Sequence, residues 1–126
     1  MLILDRARGV LGERGSGRCF DPARRQWQPG KPGGGEAISA VAAATWLQRE
    51  SGHPLRQPIG VIGPSDANAA QLAAAEAVGR GLGAMGLTIV CGGRGGVMEA
   101  ACRGAAASGG LSIGLLPGAD AAAANA

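Results

Sequence analysis

From Pro58 onward, short continuous apolar runs alternate with longer stretches of small residues. Ile59-Gly60-Val61-Ile62, Leu87 to Cys91 and Leu111-Ser112-Ile113-Gly114-Leu115-Leu116 have the length and apolar content of buried strands, each followed by a turn signal. Between them, Asn68 to Met85 and Val97 to Ser108 are Ala-rich and long enough for helices. Asp66 or Asn68 caps the first, which Gly86 ends, and Gly109-Gly110 stops the second. This order predicts a βαβαβ unit of three parallel strands with right-handed crossovers, half of a doubly wound, Rossmann-like α/β sheet.

Before Pro58 the rhythm differs. Leu2-Ile3-Leu4 and Val10-Leu11 read as short strand pieces, and Asp21-Pro22-Ala23-Arg24-Arg25 as the turn of a hairpin between Arg18-Cys19-Phe20 and Gln26-Trp27-Gln28. Residues 29–35, with two prolines and four glycines, read as a linker. Ser39 to Glu50 reads as a helix, with Ser39 as N-cap and Ser51-Gly52-His53-Pro54 as stop, His53 being a turn residue. The expected organisation is therefore an N-terminal extension over 1–57, with hairpin, Gly/Pro linker and helix 39–50, then a partial Rossmann-like nucleotide-binding domain over 58–126. In a 3-2-1 strand order both crossover helices lie on one face, and helix 39–50, with Trp46, is expected to cover the other.

Composition changes the picture of the core. Hydrophobic residues make up an ordinary 46%, but the chain holds 24 glycines, one Phe, two Trp and no Tyr. Small side chains bury little area each, so the core should be thin. That thinness, with an unpaired edge at 59–62, favours a homo-oligomer. The net charge of +3 arises in the N-terminal segment, where nine Lys and Arg face five Asp and Glu. They are scattered and lack interleaved aromatics, which describes a solvated surface, and nucleic acid is not an expected partner. Cys19, Cys91 and Cys102 match no metal-ligand spacing, so they read as reduced thiols and no metal is expected. With no signal-peptide core and no membrane-length apolar run, a cytoplasmic protein is the expectation.

The candidate chemistry lies in Gly92-Gly93-Arg94-Gly95-Gly96, between a strand and a helix. Such a turn sets backbone N–H groups at the positive end of a helix dipole with no Cβ in the way, a place for phosphate. The same glycines also serve a purely structural turn in which helix and strand pack closely. On the binding reading, amides of Gly93 to Val97 hold phosphate oxygens, and Gly63 and Ser65 contribute from the neighbouring loop. Arg94 clamps the ligand or is solvated; Glu99 answers the helix dipole or binds ribose. Ligands of doubly wound sheets lie beyond the carboxyl ends of the strands, which would bring Gly63 to Asp66, Gly92 to Gly96 and Pro117-Gly118 to one crevice.

The runs Ile59 to Pro64, Val90 to Ala100 (including Gly92-Gly93-Arg94-Gly95-Gly96-Val97-Met98-Glu99-Ala100) and Gly109 to Gly118 resemble the Rossmann-fold nucleotide-binding proteins of the LOG superfamily. Within it they are most similar to the bacterial group related to the DNA-processing protein DprA and to molybdenum cofactor carrier proteins. The resemblance covers residues 58 to 126 and implies a nucleotide, AMP-like, or molybdenum cofactor held over the glycine loop. In enzymatic members it implies cleavage of a nucleoside monophosphate's N-glycosidic bond, using a second motif, PGGxGTxxE, that these 126 residues do not contain. Three readings follow: a binding or carrier protein, a nucleoside 5'-monophosphate phosphoribohydrolase, or a truncated product without activity. Asp66, Glu99 and Asp120 are the acids near the expected crevice, and no pattern assigns any of them a catalytic role, so whether the chain is an enzyme stays open.

Overall fold

The computed structural model describes residues 1–125; Ala126, the last residue of the expected nucleotide-binding segment, lies outside them. Two compact units emerge, Met1–Pro54 and Leu55–Ala126.

In the first unit, β1 (Leu2–Asp5), β2 (Val10–Glu13), β3 (Arg18–Asp21), β4 (Gln26–Pro29) and β5 (Glu36–Ile38) form an antiparallel sheet in the order β4-β3-β2-β1-β5. The expected hairpin is thus one turn of a larger meander. Two of its turns share a design. Asp5 Oδ1 accepts from the Arg8 amide and Asp21 Oδ1 from those of Ala23 and Arg24, and each turn closes through a left-handed residue, Gly9 or Arg25. The Gly/Pro segment after β4 returns the chain to the far edge of this same sheet, where β5 pairs with β1. It needs glycine there because a Cβ on Gly35 would meet the Leu4 backbone.

Helix α1 (Ala40–Arg49) begins at Ser39, whose side chain accepts from the Ala42 amide. Its Ala43 and Trp46 pack with Leu4 and Leu11. Trp46, expected to cover the parallel sheet, is found closing the core of its own unit, where it is 4% exposed.

The second unit follows the expected alternation: β6 (Ile59–Gly60), α2 (Ala69–Met85), β7 (Ile89–Cys91), α3 (Val97–Ala107) and β8 (Ser112–Gly114), with parallel strands in the order β6-β7-β8. The strands are shorter than the apolar runs, although the Val61 amide still donates to Val90 O and that of Leu115 to Cys91 O. Ile89 is fully buried on the helical side. Leu111, Ile113 and Leu115, spaced by two, are 61%, 41% and 66% exposed, and Ile62 is 89% exposed.

With so little side-chain bulk, close backbone approach makes the core. A Cβ on Gly79 of α2 would overlap the Ala101 carbonyl of α3, and one on Gly104 would overlap the Glu76 carbonyl in return. Dispersion falls steeply with distance, so two helices faced with Gly and Ala gain by near-contact what larger side chains gain by interdigitation. Glu76 then receives Arg80 at 3.0 Å and Arg103 of α3 at 3.1 Å. Helix α2 starts with a capping box: Asn68 Oδ1 accepts from the Gln71 amide and Gln71 Oε1 from that of Asn68, both at 2.9 Å. Asn68→Ala removes one of these bonds and should cost about 1 kcal/mol, measurable by chemical denaturation. Gly86, at φ 87°, ends the helix.

Candidate functional site

The glycine loop runs from the end of β7 to the first turn of α3, and its glycines have different jobs. At Gly96, the N-cap of α3, φ is 72° and a Cβ would overlap the Pro64 carbonyl. A Cβ on Gly63 would strike the Val97 side chain, and the Val97 amide donates to Pro64 O at 3.1 Å. The loop after β6 is therefore stitched to the start of α3. Gly93 is left-handed at φ 68° and sits against Leu116, while a Cβ on Gly92 would press on Met98 Sδ at 3.3 Å. Gly95 differs: its φ is ordinary, and a Cβ would meet only Glu99 Oε2, at 3.5 Å.

Two of the five expected amide donors are engaged within the protein. Gly93 N–H donates to Cys91 Sγ at 3.3 Å, and Val97 N–H to Pro64 O. The amides of Arg94, Gly95 and Gly96 have no protein acceptor among the described residues. They precede the 11-residue α3, which has no side-chain cap and carries Glu99 in its first turn. Unbonded donors at a helix start attract anions through their partial positive charge, whereas the Glu99 carboxylate opposes a second negative charge nearby.

Arg94 and Gly95 line a cleft of about 540 Å³ whose far side is Leu116, Pro117, Gly118, Asp120 and Ala123. The expected meeting of the glycine loop with Pro117-Gly118 occurs here. Gly63, Ser65 and Asp66 do not line this cleft; Gly63 and Ser65 support the loop from the side through Val97 and Gly96. A larger cavity, about 770 Å³, lies in the N-terminal unit between the Glu13–Gly17 turn and residues 31–35. Its Arg14 and Lys31 share it with Glu13, and no helix starts at it, so the smaller cleft is the better place for an anion.

One participant was missed from sequence. The alanine-rich tail looks unpatterned, yet Asp120 caps a short 3-10 turn, Ala121–Ala123, by accepting from the Ala122 amide. This sets Asn125 over the glycine loop. Its amide N–H donates to Gly93 O and its Nδ2 to Arg94 O, each at 2.8 Å. The signal was an Asp two residues ahead of an N–H it could cap. Because Asn125 uses loop carbonyls, it leaves the loop's amides facing away from it.

Residues 56–126 match the family model described as the SLOG cluster4 family. No curated protein and no solved structure matches the chain. Among the described residues no helix is long and apolar enough to cross a membrane.

Proposed function

We propose that this chain, which belongs to the SLOG cluster4 family, binds a small phosphate-containing ligand, a nucleotide or nucleotide-like cofactor, at the Gly92–Gly96 loop. The observation that carries this reading is the run of three amides, Arg94 to Gly96, without protein acceptors among the described residues, beside a cleft at the start of α3. Phosphate oxygens would take these donors, with the Arg94 guanidinium closing on the ligand's exposed side. Leu116 and Pro117 supply apolar wall for the rest of the molecule. Gly63, Ser65 and Val97 hold the loop from the side, and Glu99, in the first turn of α3, disfavours ligands of higher negative charge.

The finer resemblance to DprA-related and molybdenum cofactor carrier proteins makes an AMP-like nucleotide the first ligand to try and the molybdenum cofactor the second. Binding is favoured over hydrolysis because glycoside cleavage calls for a carboxylate set at the sugar carbon. Of the three candidates, Asp66 and Glu99 do not line the cleft, and Asp120, which does, accepts the Ala122 amide as a cap.

Titration of the full chain with AMP in a calorimeter should give saturable binding that weakens with added salt. Arg94→Ala should weaken it about tenfold, the loss expected of one charge-assisted contact. No heat with AMP, IMP, inorganic phosphate or the molybdenum cofactor would remove the proposal, and release of free base from AMP or IMP would instead establish the hydrolase.

A further inference from the structure

Below the glycine loop lies a pair of sulfurs that the binding reading does not use. Cys91 is the last residue of β7, Cys102 sits in the second turn of α3, and their Sγ atoms are 3.5 Å apart. Both are almost fully buried, at 5% and 6% exposure, and pack with Met98. The two thiols are unequal. Cys91 Sγ accepts the Gly93 amide at 3.3 Å. Burial pushes the Cys102 thiol up, against the smaller opposing effects of Ser112 and Asn125.

We infer that Cys91 and Cys102 form an oxidisable dithiol that closes to an intramolecular disulfide on reaction with hydrogen peroxide. Cys91, as thiolate, attacks one peroxide oxygen; the O–O bond breaks, and the departing hydroxide takes up the proton Cys91 had released, leaving as water. Cys91 is then a sulfenic acid. The Cys102 sulfur attacks the Cys91 sulfur, the S–O bond breaks, and the hydroxyl leaves with the Cys102 proton as a second water. The protein loses two electrons and two protons, and one peroxide becomes two waters.

Geometry favours this pair, both members of which lie in the second unit. The two sulfurs already touch, and a bond of about 2.0 Å asks for a further approach of roughly 1.5 Å. The oxidant is little larger than water, which suits nearly buried sulfurs. The product ties the strand preceding the glycine loop to the helix following it. The Gly93 amide then faces a disulfide sulfur in place of a thiol. Any change in anion affinity on oxidation rests on the proposed binding function; formation of the disulfide does not.

The test uses the full reduced chain, treated with hydrogen peroxide, alkylated and read by intact mass and peptide mapping. The expected product has lost two hydrogens, yields a Cys91–Cys102 cross-linked peptide, keeps Cys19 alkylatable, and returns to three free thiols with dithiothreitol. In Cys102→Ser the cross-link should vanish and a dimedone adduct should appear on Cys91. Three alkylatable thiols after treatment, a dimer linked through Cys19, or sulfinic acid on Cys91 without cross-link would each overturn the inference. These outcomes are read in the unsubstituted chain, so they stand even if the variant misfolds, and none depends on nucleotide binding.

Discussion

Gly79→Leu should strongly destabilise the unit formed by residues 55–126, seen as a marked loss of hydrogen-exchange protection across α2, β7 and α3. The reason is backbone against backbone. A Cβ at position 79 would overlap the Ala101 carbonyl, and no rotamer change can relieve a clash with a helix backbone. The helices must separate, and the burial of Ile89, Ala101 and Ala105, each at 0% exposure, goes with the contact. Overpacking of this kind costs about 3 kcal/mol or more, a large part of the roughly 5–15 kcal/mol that holds a domain together. Gly81, two residues on, is the control: nothing lies within 4 Å of a Cβ there. Gly81→Ala should stabilise by about 0.5–1 kcal/mol, because alanine restricts the unfolded chain and favours helix. Equal protection in Gly79→Leu and the unsubstituted protein would show that the α2–α3 approach is looser than described.

Gly95→Asp should remove nucleotide binding while leaving the melting temperature near that of the unsubstituted chain. Of the loop's glycines only Gly95 has both an ordinary φ and room for a side chain, its Cβ meeting just Glu99 Oε2 at 3.5 Å. A second carboxylate beside Glu99 would face the incoming phosphate and repel it across a short distance. We expect at least a hundredfold weaker binding by calorimetry, about 2.7 kcal/mol. Gly95→Ala, which adds bulk without charge, should retain most of the affinity. If both variants bind AMP as the parent does, the ligand does not sit on this loop.

The order of elements in the second unit was legible because its signals are local. Asn68 with Gln71 starts α2, Gly86 ends it, and three apolar runs mark the strands. The glycine loop was legible as a strand-to-helix turn, but not which of its glycines serve packing. Gly63 and Gly96 look like ligand-facing glycines in the sequence; only their approach to Val97 and Pro64 shows that they join two loops. The first sheet was legible as two strand pieces and a hairpin; what escaped is β5, which begins 34 residues after β1 begins and pairs with it through a strand of three residues. So short a strand carries almost no periodicity.

What the sequence by itself determined is the alternation that makes residues 55–126 a half Rossmann-like unit, and the presence of a bare glycine turn between its second strand and helix. Period and caps are properties of neighbouring residues, so they survive being read one position at a time. The tertiary structure alone decided that Trp46 closes the first unit, that α2 and α3 touch through Gly79 and Gly104, and that Asn125 reaches the Gly93 and Arg94 carbonyls. It also decided that Cys91 and Cys102 meet. Each of these contacts joins residues far apart in the chain or on separate elements, and small side chains such as Gly and Ala carry no sign in the sequence of which backbone they will lie against.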